Sequence, residues 1–262
     1  MVRNPYKLAG VSLVSTMLVA CGGADSDPKL SQSQTQPKSS NISGIALDGY
    51  LHKAKVCLDK NGNAMCDSAD GDIATTDAKG QFQLDVDDDV AQYKVLVEAV
   101  AGITVDMDTP NQAIESGFTL EVPSNNSDVV SPVTSLIASV SKSSGISFDD
   151  ATELVANDLG IDKSLALGDY SASNSVKGRE VHMFARGVTR VLQEAQKASV
   201  DAGVDQVNAR KGAIYKLADL DLVEFKAKTD RLSHGASGTD SALQQLGKEY
   251  REQLKVSQED ID

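Results

Sequence analysis

The chain of 262 residues contains no tryptophan, and aromatic residues make up only 4% of it. Sugar-binding platforms normally present exposed aromatic faces, so this scarcity weighs against one. Basic residues are few as well: 25 Lys and Arg stand against 38 Asp and Glu, a formal net charge of −13. Nucleic acid needs a basic face, and the field here repels phosphate, so it is excluded as a partner. Catalytic signatures are missing too. There is no Gly-x-Ser-x-Gly, no His-Glu-x-x-His and no Gly-rich phosphate loop. Ser139-Val140-Ser141-Lys142 matches Ser-x-x-Lys in form only, since no Lys-Thr-Gly accompanies it. His52, His182 and His234 are scattered, without ligand-like neighbours. No enzyme is expected from these residues, and with 38 acids, spacing alone selects no carboxylate pair.

What is present begins with an address. Met1 to Lys7 carries Arg3 and Lys7 and no acid, and Leu8 to Ala20 carries no charge at all. A bilayer-spanning helix needs about twenty apolar residues. This shorter stretch fits the apolar region of an export signal. It ends Leu18-Val19-Ala20-Cys21, which resembles the lipobox of bacterial lipoproteins. The resemblance implies cleavage before Cys21 and acylation of that cysteine, and two or more acyl chains anchor a protein stably. Gly22 and Gly23 follow where an aspartate often signals inner-membrane retention, so the resemblance implies the outer membrane. The expected organisation is a signal peptide at 1–20 and a lipidated cysteine with a Ser/Gln/Gly/Pro-rich tether at 21–41. Such a coil reaches roughly 25 Å. Cleavage leaves 242 residues with a net charge of −15.

From Asn41 the pattern becomes strand-like. Ile42, Ile45 and Leu47 precede a turn signal, Asp48-Gly49. Ala54, Val56 and Leu58 alternate with Lys55, Cys57 and Asp59, the period of a half-buried strand. Further strands are expected at Ile73–Thr76, Gln81–Val86, Tyr93–Val100, Ile103–Met107 and Phe118–Val122, with Gly80 in a hairpin. Short strands punctuated by Gly, Asn and Asp predict an antiparallel β-sandwich over 42–125.

Within it, oxygen-bearing side chains fall at relative positions 1, 3, 5, 9 and 12: Asp59, Asn61, Asn63, Asp67 and Asp70. The Met65 carbonyl stands at position 7. Ca²⁺ takes six to eight oxygens, and calcium loops use these offsets. Ala64 replaces the usual Gly at position 6 and Asp70 the longer Glu at position 12, and both departures weaken binding. A solvated Asn/Asp turn is the competing reading. Cys57 and Cys66 bracket the loop, and in an exported protein a disulfide is their default state. Closing so short a loop stabilises it by roughly 2.5–3 kcal/mol in the chain-entropy model. Asp85, Asp87, Asp88 and Asp89 form a second acidic run, expected as a solvated loop; ten aspartates and no glutamate fall between Asp48 and Asp89. No Asn is placed to cross-link Lys55 with Glu98 as the acid.

The loop, with Thr75-Thr76-Asp77-Ala78-Lys79-Gly80-Gln81-Phe82 after it, resembles the first hairpins of SdrD B-type and carboxypeptidase-regulatory-like (prealbumin- or Ig-like) surface modules. The resemblance covers roughly residues 42–100 and implies a non-enzymatic module in which calcium supplies rigidity.

Residues 126–262 read as helical. Ser131 is an expected N-cap with Pro132 at the first helical position. Ser147 with Asp150 makes a second start, closed by Gly160. A long helix is expected from about Lys177 to Ala202, with Val181, Phe184, Val188, Val191, Leu192 and Ala195 as its apolar stripe. A shorter helix follows near Asn208–Leu217. After a Gly/Ser break at Ser233–Gly238, Leu243, Leu246, Tyr250 and Leu254 mark the last helix. The sequence therefore predicts an α+β protein that is an outer-membrane lipoprotein, contacting an envelope or extracellular protein as an adhesion, matrix or assembly factor. Two alternatives remain at this point. One is an envelope hydrolase or accessory subunit, which a clustered pair of pKa-shifted acids would favour. The other is a periplasmic small-molecule or chaperone-like binding protein, which needs an apolar pocket in the helical half.

Overall fold

The computed structural model describes residues 40–86, 90–232 and 238–260. The export signal, Cys21, the tether up to residue 39, Asp87 to Asp89, His234 and most of the Gly/Ser break lie outside the described residues. β1 (Ser40–Ala46) already takes in Asn41, and it pairs antiparallel with β5 (Gln81–Val86) and parallel with β9 (Val129–Val130). β2 (Leu51–His52) pairs with β7 (Val105–Asp106). A four-stranded sheet runs in the order β4 (Ala74–Thr75), β3 (Lys55–Leu58), β6 (Lys94–Ala99) and β8 (Phe118–Pro123).

The period of two decides which residues enter which layer. β5 alternates without exception, with Phe82, Leu84 and Val86 buried and Gln81, Gln83 and Asp85 exposed. In β3, Val56 and Leu58 join the main core, while Cys57 points to the other face and meets Cys66 and Leu96. The hairpin before β5 is set by Asp77, whose carboxylate accepts N–H groups from Lys79 and Gln81 (2.8 and 2.9 Å). Gly80 completes it at φ +69°, and a Cβ there would sit 2.4 Å from the Ala46 carbonyl oxygen.

Seven α-helices follow among the described residues: α1 (Pro132–Ser144), α2 (Phe148–Leu159), α3 (Lys163–Ala166), α4 (Val176–Asp201), α5 (Gln206–Tyr215), α6 (Leu222–Thr229) and α7 (Thr239–Leu254). Their starts have identifiable chemistry. The Ser131 hydroxyl accepts from Thr134 N–H while the Thr134 hydroxyl accepts from Ser131 N–H, a reciprocal cap with Pro132 just inside. Ser147 caps α2, and Gly145 and Gly160 close α1 and α2 in the left-handed region. No helix among the described residues is long and apolar enough to cross a membrane.

The fold is thus mixed α+β, and the described residues belong to one compact unit. One apolar cluster runs through strands and helices alike, from Ile42 and Val97 to Phe184 and Leu254. α1, α4 and α5 all pack on β8. The seam is also hydrogen-bonded: Glu121 N–H donates to the Ser135 hydroxyl at 3.0 Å, and the Gln193 amide donates to the Ser116 carbonyl at 2.7 Å.

Candidate functional site

Two groups of carboxylates stand out, one expected from spacing and one assembled from distant parts of the chain. In the first, the side chains of the 59–70 loop fold inward through a cascade of Asx turns. Asn61 Oδ1 accepts from Asn63 N–H (2.9 Å), and Asn63 Oδ1 accepts from Met65 N–H (2.8 Å). The amides of Asn61 and Asn63 then both donate to the Asp67 carboxylate, at 3.3 and 2.7 Å. Asp67 also accepts Ala69 N–H, and these hydrogen bonds hold its carboxyl below the usual carboxylate range. Positions 3, 5 and 9 therefore converge on one point.

Asp70 is buried, and its two oxygens brace the loop by accepting the N–H groups of Lys60 and Asp67, each at 3.0 Å. Asp59 at position 1 differs from both. Among the described residues its Oδ1 is out of solvent with no hydrogen-bond donor, and burial, then the Glu121 charge, push its carboxyl upward against a hydrogen bond from the Ala64 backbone. Ala64 takes φ +56°, the left-handed conformation that a glycine adopts without steric cost. The disulfide between Cys57 and Cys66 is formed, with Cα atoms 5.6 Å apart.

A hard cation asks for carboxylate and carbonyl oxygens in one concavity. The loop offers them at Asp59, Asn61, Asn63 and Asp67, with each carboxamide turned to present its amide to Asp67. Asp70 retains free lone pairs beyond its two backbone donors. Among the described residues no three His, Cys, Asp or Glu side chains are gathered as a set of metal ligands, and the Asn61 and Asn63 oxygens already accept backbone N–H groups, so a cation would have to draw the loop's oxygens together. The amide-to-Asp67 hydrogen bonds are what it would replace.

The second group gave no signal in spacing. Asp48 lies in the turn between β1 and β2, Asp106 ends β7, Asp108 follows two residues later, and His182, Arg186 and Arg190 come from α4. Gly49 makes room for them: a Cβ there would lie 2.4 Å from Asp106 Oδ1 and 2.7 Å from Asp108 Oδ1. Asp108 is the best compensated of the three, with His182 Nε2 at 2.9 Å and Arg186 Nε at 3.6 Å. Burial alone would lower the His182 pKa, but the hydrogen bond to Asp108 outweighs it and the net shift is upward.

Asp48 is 6% exposed, its Oδ1 meets no donor among the described residues, and burial raises its pKa against the pull of Arg186 and Arg190. Burial, followed by the charges of Asp48 and Asp108, pushes Asp106 up to about 7. Both Asp48 and Asp106 are thus pushed toward the neutral acid, as buried carboxyls with like charges nearby are. Both residues line a cleft of about 310 Å³ between the 109–118 segment, α4 and α7.

Other candidates resolve into structural roles. The Ser139 hydroxyl donates to the Tyr215 carbonyl at 2.6 Å and accepts Ala218 N–H at 3.0 Å, so it ties α1 to the chain after α5. Lys55 stands opposite Glu98 in the β3–β6 register, 3.6 Å away as an ion pair. No family model, curated protein or solved structure matches the chain.

Proposed function

We propose that the chain is a non-enzymatic lipoprotein anchored through Cys21 in the outer membrane. In this reading it presents its strand-rich part, a prealbumin- or Ig-like module stiffened by calcium, together with its helices, for contact with an envelope or extracellular protein. The roles that fit are adhesion, matrix or assembly accessory factor. The observation that carries the reading is the 59–70 loop, where the Asn61 and Asn63 amides converge on Asp67 and where, among the described residues, Asp59 Oδ1 is buried without a donor. Asp59, Asn61, Asn63, Asp67, Asp70 and the Met65 carbonyl would hold the ion. Calcium would supply the positive charge that this acidic loop lacks. The disulfide pins the loop ends and the Asx turns orient its middle, so little ordering is left for binding to drive.

Thermal melts with Ca²⁺ and with chelator test this reading. Wild type should melt higher with Ca²⁺, in proportion to the logarithm of its concentration above Kd, and Asp59→Ala should lose the response. Identical responses from the two proteins would sink it.

A second reading has its own support. Asp48 and Asp106, both raised toward the neutral acid and both lining one cleft, form an arrangement suited to general acid–base hydrolysis of an envelope polymer. Under that reading, purified envelope material incubated with the protein releases soluble fragments, and Asp106→Asn abolishes the release. Equal release by both proteins would remove it.

A further inference from the structure

A cavity of about 530 Å³ opens where the start of the 59–70 loop meets the helices. Its charges do not follow the rest of the chain. Lys94 is paired with Glu121, and Asp260 is held by Ser257 and Lys216. Asp59 also stands on its wall. Lys142 at the end of α1 and Lys211 on α5 are exposed and line the same cavity, and no carboxylate pairs with either among the described residues. An anion approaching this wall meets two uncompensated ammonium groups on a protein whose net charge is −13.

The aromatic content points the same way. Of six tyrosines, Tyr170 and Tyr250 are buried in the core, whereas Tyr93 and Tyr215 both line this cavity. Tyr215 is 49% exposed, with the Lys142 ammonium 5.1 Å from its ring centroid. Gln92 and Asn208 line it as well, the Asn208 amide nitrogen donating to Asp205 at 2.6 Å. Lysine is a point charge, while dense phosphate clusters are more often read by the planar fork of arginine, and no arginine lines this cavity. Isolated carboxylates carried on a polyhydroxylated ring match two lysines and two tyrosines better than a polyphosphate does.

We infer that this cavity binds an acidic saccharide, its carboxylate between Lys142 and Lys211 and its ring against Tyr215. The site gives the contact reading a ligand class, yet it needs neither calcium nor the 59–70 loop to be loaded.

Calorimetric titration of the full chain in chelator, with trigalacturonate as probe, tests the inference separately from the calcium reading. Trigalacturonate should bind, with affinity falling at least about tenfold in Lys142→Gln/Lys211→Gln. Both lysines are exposed, so the variant should melt with wild type, and Tyr215→Ala provides a second weakened binder. Maltotriose, which lacks carboxylates, should give no binding, and inorganic phosphate should compete poorly. Absence of trigalacturonate binding, unchanged affinity in the double variant, or maltotriose binding as well would each overturn the inference. So would full displacement by phosphate, which would mark a bare anion site.

Discussion

The ion pair between Arg210 on α5 and Glu98 on β6 offers the sharpest test of how helices and strands hold together. Arg210 Nη1 lies 2.7 Å from Glu98 Oε1, and their side chains are 8% and 7% exposed. The other oxygen of Glu98 accepts Cys66 N–H at 3.2 Å and faces Lys55 at 3.6 Å. Arg210→Met keeps most of the apolar stem but leaves a buried carboxylate with one backbone donor and a half-exposed lysine. Breaking a buried pair from one side costs about 3–5 kcal/mol, because the remaining charge stays desolvated. Lys55 retains part of the attraction, so the lower end, about 3 kcal/mol, is expected. For a unit of this size each kcal/mol moves Tm by roughly 2–4 °C, so the variant should melt roughly 6–12 °C below wild type.

Removing both charges reverses the sign of the reasoning. In Glu98→Leu/Arg210→Met no ion is left buried, and replacing such a pair by apolar groups is often neutral or better. The double variant should therefore recover most of the loss, with a coupling energy of at least about 2 kcal/mol in the double-mutant cycle. Far-ultraviolet circular dichroism melts, paired with urea titrations to check that the m-value is constant, give the four stabilities needed. If Arg210→Met melts with wild type, or if the two single losses simply add, the pair does not couple α5 to β6.

Two further outcomes follow from particular contacts. Asp106 holds its proton up to about pH 7 when folded but only to its ordinary value near 3.8 when unfolded. The native state thus binds the extra proton between those values, so stability should fall by at most roughly 1.4 kcal/mol per unit as pH rises across that window. The contribution of His182, also raised, is lost as pH climbs through its folded value, and Asp106→Asn should flatten the slope in urea titrations over this range. Gly247 lies inside α7, where Gly→Ala ordinarily gains about 1 kcal/mol of helix propensity. Here a Cβ would stand 2.8 Å from the Arg190 carbonyl oxygen on α4, so Gly247→Ala should lower Tm instead, and a higher Tm would show that the helices yield.

The elements most legible in the sequence were those whose signal is local. The alternation of 81–86 coincides with β5 residue for residue, and Ser131-Pro132 and Ser147 cap the helices they were read to cap. Each rests on a side chain acting within four residues of itself, so spacing is enough to find it. α6 escaped because its buried face is thin in apolar residues, Phe225 and Thr229 being its only buried positions. It is eight residues long and contributes Phe225, whose ring stacks edge-on with Phe184 and Tyr250 and reaches the Cβ position that Gly187 leaves open. That contact is a property of α4 as much as of α6. β2 and β9, two residues each, are likewise defined by their partners.

The same distinction separates the two carboxylate groups. The 59–70 loop was visible because its oxygens come from twelve successive residues, and the structure brings three of them to one point by local Asx turns. The Asp48, Asp106, Asp108 and His182 cluster spans 134 intervals of sequence, and its partners meet only after α4 has packed against the strands. A faint trace existed even so. Asp48 is flanked by Leu47 and Leu51, both fully buried, so the turn that Asp48-Gly49 announced had to be made inside the protein. An acid in a turn with apolar neighbours on both sides cannot keep its water unless the chain leaves a cleft there. A charge carried inward in that way needs either a cation or a proton. Asp108 has His182 and Arg186 against it, while Asp48 and Asp106 are pushed toward the neutral acid.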